Sequence, residues 1–263
     1  MQYGNTEVFL SREEREALIA RYMGKCVDVV IDRPIGYVHY TKGIRLDYTV
    51  NYGFLPGVMG GDGEEQDVYV LGVTEPVERF TGRIIGVARR EDDNEDKLIA
   101  APEGMVIHQA QMAEAIYFVE KYFCSRIRSL YHKSCGVIPF RRRQTGVEFL
   151  LVLQKGSGFW SVPKGHMEAF ETEEAAALRE LGEEIGATAA LLPGFRTTIH
   201  YPLPDGGEKD VVLFLGEARG ELTPQETEVL ACRWVSPDQA AQLLGETYAE
   251  AIFQAERTLK FNG

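Results

Sequence analysis

The spacing of hydrophobic residues changes twice along the N-terminal half of the chain. Ser11 and Glu14 have the spacing of a helix-capping box, and the apolar stripe behind them predicts a short helix. Between residues 25 and 90, short runs rich in β-branched residues alternate with glycine-rich turns, which predicts short strands in a small barrel or an α+β unit. From 107 to 131 the apolar residues recur at helical spacing. The predicted strands are 27–31, 68–73 and 83–88.

A second series of elements begins at Cys135. Apolar runs at 136–140 and 149–153 on either side of a turn predict a hairpin, and a strong helical pattern covers 173–185. Further strands are predicted near 197–201, 211–217 and 233–235, with a helical segment from Pro237 onwards. We therefore expect two separately folded domains, 1–132 and 133–263.

Composition and charge narrow the classes of function. The 263 residues carry 40 acidic and 28 basic side chains, and the net charge of −12 argues against a general nucleic-acid binder. No apolar run is long enough to span a membrane, and the N-terminus lacks the pattern of a secretory signal. The four cysteines form no CxxC pair, so we expect buried reduced thiols and a cytoplasmic protein.

The helix predicted at 173–185 has an unusual concentration of negative charge. Thr172 suits an N-cap and Gly186 a position just beyond the C-terminus. Glu180, Glu183 and Glu184 share one face, where like charges cost about 0.2–0.5 kcal/mol per pair. A solvated acidic face is one explanation, and a cluster of oxygen ligands for Mg²⁺ or Mn²⁺ is the other.

The surrounding spacing decides between these explanations. Glycine, five residues, glutamate, seven residues, then Arg-Glu-Leu-Gly-Glu-Glu-Ile-Gly run from Gly165 to Gly186, and this segment resembles the Nudix box. The resemblance implies an α/β/α sandwich with a mixed sheet over residues 133–263. It also implies hydrolysis of a diphosphate linkage in a nucleoside diphosphate joined to another group, with Mg²⁺ or Mn²⁺ as the cofactor.

The resemblance assigns roles position by position. Arg179 would orient Glu180, which would be a metal ligand or the base for the attacking water, and Glu171 would brace the loop by pairing with Arg179. The implied metal ligands are the Gly165 carbonyl and the carboxylates of Glu180, Glu183 and Glu184.

Flanking segments are similar to those of diadenosine polyphosphate hydrolases. The run Trp160-Ser161-Val162-Pro163-Lys164-Gly165-His166 and the strand that begins at Lys209 resemble theirs, which implies phosphate contacts for Lys164 and Lys209. Glu228 lies where that group has a further catalytic or metal-binding glutamate. Leu213 stands where an aromatic residue often holds adenine, so the candidates for base stacking are Tyr201 and Trp160.

The first half carries two acidic segments, 62–67 and 90–97. By themselves they are typical of an exposed turn and a hydrated hairpin loop. Together with Asn51-Tyr52-Gly53 they resemble soluble inorganic pyrophosphatase, which implies an OB-like, mainly β barrel with flanking helices. The implied metal ligands are Asp62, Asp67, Glu95 and Asp96, the implied phosphate contacts are Tyr52 and Lys97, and the catalytic position falls on Glu64.

Glu64 departs from that pattern, since the family has an aspartate there and the longer side chain alters the placement of a catalytic group. Three hypotheses follow. In the first, the chain is a Nudix hydrolase acting on dinucleoside polyphosphates, and its first domain binds pyrophosphate, with hydrolysis of that ion left open. Alternatively, it is a bifunctional nucleoside triphosphate pyrophosphohydrolase and pyrophosphatase. In the third, the first domain is a degenerate binding or association module. A homodimer is left open.

Overall fold

The computed structural model describes residues 10–41 and 43–261. The N-terminal residues on which the expectation about a secretory signal rests lie outside these ranges. The chain separates into two compact units between Tyr131 and His132. Within the described ranges, no helix has both the length and the apolar character needed to cross a membrane.

The first unit begins with the predicted helix, α1 (Arg12–Tyr22). The Ser11 hydroxyl accepts a hydrogen bond from the backbone N–H of Glu14 at 3.3 Å, and the Glu14 carboxylate accepts one from the Ser11 N–H at 2.8 Å. The capping box is therefore confirmed. Strands follow in the order β1 (Cys26–Arg33), β2 (Val38–Thr41), β3 (Ile44–Asp47), β4 (Asn51–Met59), β5 (Glu65–Val70), β6 (Arg79–Arg90) and β7 (Lys97–Ala101).

Five of these strands close a barrel. They pair in the order β1-β4-β5-β7-β6, and β1 also pairs with β6. Alternation along the strands sorts their side chains into two apolar clusters. Val68 and Val70 pack in the cluster that holds Ile19 of α1, whereas Tyr69 packs in the cluster that holds Met112. Strands β2 and β3 form a separate hairpin.

The helix predicted over 107–131 is wrong in its second half. Helix α2 covers Gln109–Glu120, and strand β8 (Ser125–Ser129) follows and pairs with β6. Arg126 and Arg128 are exposed on either side of the partly buried Ile127, which is the period of two of a strand. Apolar residues at helical spacing up to Phe123 hide this change of period.

The second unit is built on a seven-stranded sheet. Its main path runs β11-β10-β9-β14-β13, while β12 pairs with β9 and β15 pairs with β10. The predicted hairpin is present as β9 and β10, with a turn at residues 144–145. The strands are β9 (Tyr131–Arg143), β10 (Gly146–Gln154), β11 (Trp160–Ser161), β12 (Lys164–His166), β13 (Thr188–Pro202), β14 (Glu208–Arg219) and β15 (Val229–Val235).

Helices cover both faces of this sheet. Leu150 and Val152 of β10 pack in one apolar cluster with helix α3 (Glu173–Ile185). Phe149 and Leu151 point the other way, into a cluster with α4 (Pro237–Leu244) and α5 (Glu246–Phe261). Continuous apolar character along β10 is explained by this two-sided burial.

The cysteines are free, as expected, but they are not all buried. Cys135 is buried and Cys232 partly buried, whereas Cys26 and Cys124 are exposed. The expectation of four buried thiols is therefore wrong. Cys26 is the exposed first residue of β1, and Cys124 lies in the exposed segment between α2 and β8.

Replacing Arg90 with Met should destabilise the first unit by about 3–5 kcal/mol, because Glu120 would be left buried without its cation. Arg90 donates to Glu120 at 2.8 and 3.1 Å, and both residues are buried. Urea unfolding followed by circular dichroism measures the change. Arg126→Met is the control, since the Arg126 side chain is 79% exposed and its ion pair with Glu91 should contribute at most about 1 kcal/mol. Equal effects of the two variants would contradict the prediction.

Candidate functional site

The carboxylate-rich helix is held in place by its caps and by its apolar face. The Thr172 hydroxyl accepts a hydrogen bond from the Ala175 N–H at 3.2 Å, and Gly186 ends the helix at a φ of 67°, where glycine is unstrained. Leu181 and Ile185 are buried against the sheet. The predicted bounds 173–185 are therefore confirmed, and the helix presents its glutamates to the loop that precedes it.

Arg179 is the hub of the site. Its guanidinium makes a two-pronged contact with the Glu171 carboxylate at 2.6 and 2.9 Å, and donates to Glu180 at 2.9 Å. It also donates to Glu183 at 2.8 Å and to the His166 carbonyl at 3.0 Å. A planar guanidinium has five N–H donors in a fixed arrangement, so one side chain can hold the loop and two carboxylates in register.

Residue 165 must be glycine because the Glu180 carboxylate lies very close to its backbone. A Cβ atom at this position would lie 2.1–2.2 Å from the Glu180 carboxylate. The carboxylate therefore rests directly against the backbone of the loop. A side chain at residue 165 would occupy the same space.

Glu184 is buried, with 3% of its surface exposed. The Gln154 amide donates to its two carboxylate oxygens at 3.1 and 3.2 Å. Burial raises the pKa of Glu184 to about 7, and burial also raises the pKa of Glu180, with the charges of Glu183 and Glu228 adding to the effect. Two carboxyl groups with raised pKa values thus lie one turn apart on the same helix. Gln154 was missed from the sequence, where a single glutamine at a strand end carries no signal.

Two lysines complete the site. Burial lowers the pKa of Lys164, and the neighbouring Glu184 and Glu180 carboxylates oppose that effect. Burial likewise lowers the pKa of Lys209, and the Lys164 charge lowers it further. The Glu180 carboxylate acts electrostatically on both ammonium groups, so the site combines anionic and cationic groups.

The remaining predicted residues lie at different depths. Glu228 is exposed, and its charge acts on Glu180. Tyr201 is hydrogen-bonded to Tyr248, and Tyr201 and Trp160 both pack against the cluster under α4 and α5. These two aromatic rings therefore have a structural role in the core.

The donor set of the site suits a divalent cation. All of its candidate ligands are oxygen atoms, the kind that Mg²⁺ and Mn²⁺ prefer, and burial is the main cause that raises the pKa of Glu180 and Glu184. Across residues 10–41 and 43–261, however, no three Asp, Glu, His or Cys side chains converge as a ready-made metal centre. The bonds from Arg179 to Glu180 and Glu183 account for this arrangement.

In the first unit, Tyr52, Asp67, Glu95 and Lys97 line one cavity of about 410 Å³. The Lys97 ammonium pairs with both Asp67 and Glu95. Burial raises the pKa of Glu95 to about 7, whereas the pKa of Asp67 is lowered because Lys97 outweighs its burial. The structure thus brings four of the predicted residues together.

The other predicted acids lie elsewhere. Asp96 is buried in an ion pair with Arg15 at 2.6 Å, because it points to the opposite side from Glu95 and Lys97 along an extended segment. The Asp62 carboxylate accepts a hydrogen bond from the Glu64 N–H at 3.0 Å within the turn, and Glu64 is exposed. The expected convergence of five acids is not what the structure has, and the residues at the cavity do not fit a cluster of metal ions.

Comparison with known proteins agrees with the division into two parts. The NUDIX domain model matches residues 130–255, and the inorganic pyrophosphatase model matches residues 28–133. The asymmetrical bis(5′-nucleosyl)-tetraphosphatase of Sus scrofa is 36% identical over 135 residues, which cover 46% of this chain and 90% of that protein.

A second relative is the phosphatase NudJ of Escherichia coli, which is 35% identical over 113 residues, 40% of this chain and 72% of its own. A crystal structure of a C. elegans Ap4A hydrolase binary complex aligns with a TM-score of 0.46 at 22% identity, covering 50% of this chain and 99% of that one. The resemblances that the motifs carry are confirmed: this chain belongs to the Nudix hydrolase family as a pyrophosphohydrolase, with an inorganic pyrophosphatase-like region in front of its Nudix domain.

Proposed function

We propose that the second unit hydrolyses a diphosphate linkage in a dinucleoside polyphosphate with the help of a divalent cation. The observation that carries the proposal is the Arg179 hub, which holds Glu171, Glu180 and Glu183 around the Gly165 backbone. The name of the Sus scrofa relative and the flanking segment 160–166 support this substrate class.

The side chains of the site divide the work of the reaction. Lys164 and Lys209 hold the phosphate oxygens, and Arg179 positions Glu180. Water attacks phosphorus, the bond from phosphorus to the bridging oxygen breaks, and Glu180 accepts the proton of the water. Burial raises the pKa of Glu180, which makes its carboxylate a stronger base.

With Glu180 as the base, Mg²⁺ or Mn²⁺ would be held by the Gly165 carbonyl, Glu183 and Glu184 and would neutralise charge on the phosphate oxygens. Glu228, which is exposed and acts electrostatically on Glu180, is proposed as a further catalytic or ligand group at the rim.

For the first unit we infer a module, within an OB-like barrel, that binds a phosphate-bearing ligand without hydrolysing it. Lys97 pairs with both Asp67 and Glu95, so the two carboxylates that a metal cluster would use are already engaged by an ammonium group. Glu64, the candidate for a catalytic group, lies outside the residues that line the cavity. These two observations favour the binding module over the bifunctional enzyme.

A product-resolved assay tests the substrate class. Diadenosine tetraphosphate, ADP-ribose, nucleoside triphosphates and pyrophosphate are each incubated with the full chain and Mg²⁺ or Mn²⁺. We expect turnover of diadenosine tetraphosphate into two nucleotides and none of pyrophosphate. Preferential release of pyrophosphate from nucleoside triphosphates, followed by its hydrolysis, would favour the bifunctional alternative instead.

Replacing Lys209 with Gln should raise the KM for this substrate by about 10- to 100-fold, because a hydrogen bond to a charged group contributes roughly 1.5–3 kcal/mol. Steady-state kinetics measure the effect. Lys260→Gln is the matched control, since Lys260 is an exposed residue of α5 paired with Glu256, and its kinetics should match those of the unmodified protein. An unchanged KM in Lys209→Gln would remove this residue from the phosphate site.

A further inference from the structure

The cavity of the first unit has two chemically different parts. One part is apolar and aromatic, and it combines side chains of the β2–β3 hairpin with side chains at the end of α2 and beyond it: Ile44, Leu46, Val119, Tyr122 and Phe123. The other part is polar and contains Arg33 and Lys97. A cavity of about 410 Å³ that combines apolar and aromatic side chains with charged groups suits a small organic ligand that carries a charge.

The apolar part is not explained by pyrophosphate. That ion is covered with charged oxygens and has no surface to bury against Leu46 or Phe123. Apolar walls would lower the affinity for such an ion, because its charges would be desolvated without hydrogen bonds. A planar aromatic group, in contrast, gains by packing against aromatic rings and side-chain guanidinium planes. The Arg90 guanidinium already lies 3.5 Å from the centre of the Phe123 ring, so this wall presents stacked groups.

The polar part offers donors for a phosphate. The Arg33 guanidinium donates to the Tyr48 hydroxyl at 2.8 Å and lies 3.7 Å from the Asp32 carboxylate, which leaves N–H groups of its five-donor fork for a ligand. Arg33 and the Lys97 ammonium lie 5.1 and 5.7 Å from the centre of the Tyr52 ring. Two cations thus flank one ring, and Arg33 is suited to bind a phosphate through two oxygens at once.

The cavity does not depend on a metal ion to attract an anion. Its lining carries the three positive charges of Arg33, Arg90 and Lys97 against the two negative charges of Asp67 and Glu95. An anionic ligand can therefore bind directly to side chains. This distinguishes the cavity from the carboxylate site of the second unit.

We propose that this cavity binds a nucleoside monophosphate, with the phosphate at Arg33 and Lys97 and the base against the wall formed by Leu46, Val119 and Phe123. The proposal rests on the inferred binding module and names its ligand. Hydrolysis of a dinucleoside polyphosphate releases nucleotides, so the first unit would bind a product class of the second.

Calorimetric titration of the full chain in EDTA tests the proposal, with adenosine 5′-monophosphate, ribose 5-phosphate and inorganic pyrophosphate as probes. Adenosine 5′-monophosphate should bind most tightly, and ribose 5-phosphate should bind about tenfold more weakly or worse because it lacks the base. Arg33→Gln should weaken the binding of the nucleotide about 10- to 100-fold. Phe123→Leu, which keeps the apolar volume and removes the ring, should weaken it about tenfold.

Lys209→Gln separates this cavity from the hydrolytic site, and it should leave the affinity for adenosine 5′-monophosphate in EDTA unchanged. If Lys209→Gln abolished the binding and Arg33→Gln did not, the nucleotide would be a product bound at the Nudix site, and the proposal would be overturned. Tighter binding of pyrophosphate than of the nucleotide would also overturn it. Hydrolysis of diadenosine tetraphosphate by the same proteins, measured separately with Mg²⁺, is independent of these outcomes, so the proposed enzymatic function stands or fails separately.

Photo-crosslinking provides a measurement that needs no variant. An azido derivative of adenosine 5′-monophosphate, irradiated with the full chain in EDTA, should label the peptide that contains residues 118–123. Labelling confined to peptides after residue 132 would contradict the proposal.

Discussion

Replacing Glu184 with Gln is expected to lower hydrolysis by at least about 100-fold while it stabilises the metal-free protein at pH 8. The two effects have one cause. Burial raises the pKa of Glu184 to about 7, so at pH 8 the folded chain holds a buried negative charge with the Gln154 amide and the Lys164 backbone N–H as its hydrogen-bonding neighbours. Gln keeps the shape and the contact region but cannot ionise, and it is a poorer ligand for a divalent cation.

The pH dependence follows from the direction of this shift. A carboxyl group whose pKa is higher in the folded than in the unfolded chain contributes full stability below its ordinary pKa of about 4.3, and that contribution is lost as the pH rises through about 7. The variant should therefore be more stable by about 1–3 kcal/mol at pH 8, and the difference should vanish near pH 4.

Urea unfolding followed by tryptophan fluorescence measures this difference, because both tryptophans, Trp160 and Trp234, lie in the second unit. Mg²⁺ should raise the unfolding midpoint of the unmodified protein at pH 8 and have a much smaller effect on the variant. Glu174→Gln, an exposed position on the same helix, is the control and should alter neither property. A fully active Glu184→Gln protein would exclude Glu184 from the site.

Replacing Gly165 with Ala should lower hydrolysis by about 100-fold or more and leave the fold intact. The added Cβ atom would lie 2.1 Å from the Glu180 carboxyl carbon. Because that carboxylate is the end of a flexible side chain, it can move aside at little cost in stability. The movement would break its 2.9 Å hydrogen bond with Arg179, and a displacement of about 1 Å in a catalytic group can cost 10²-fold in rate.

Gly182→Ala is a matched control within the same motif. A Cβ atom there would meet its nearest neighbour, the Ala187 carbonyl oxygen, at 3.9 Å, so alanine fits. Helix propensity should make this variant more stable by about 0.5–1 kcal/mol with unchanged kinetics. Gly165→Ala should therefore lower activity with little change in stability, whereas Gly182→Ala should raise stability with unchanged activity. Loss of the fold in Gly165→Ala, seen by circular dichroism, would contradict this prediction. It would show that the close approach stabilises the fold and does not merely position the Glu180 carboxylate.

Local signals in the sequence were sufficient for the helix caps. Helix α1 begins at the cap formed by Ser11 and Glu14, and helix α3 lies between Thr172 and Gly186. These caps depend on contacts between residues a few positions apart, and all of them are present in the structure. The end of α2 was not predictable in this way. Residues 125–129 form a strand because β6 lies beside them, and their alternation is too short to stand out after the helical spacing that runs up to Phe123.

The sequence by itself determined the family, because the fixed spacing from Gly165 to Gly186 encodes a loop and a helix whose contacts are local. It also placed Tyr52, Asp67, Glu95 and Lys97 among the residues of interest in the first unit. Only the tertiary structure decided how these groups are used. The partner of a carboxylate depends on the side of the extended segment to which it points. Lys97 therefore pairs with Asp67 and Glu95, whereas Arg15 pairs with Asp96. The apolar wall beside them was built from segments far apart in sequence, which no motif could reveal.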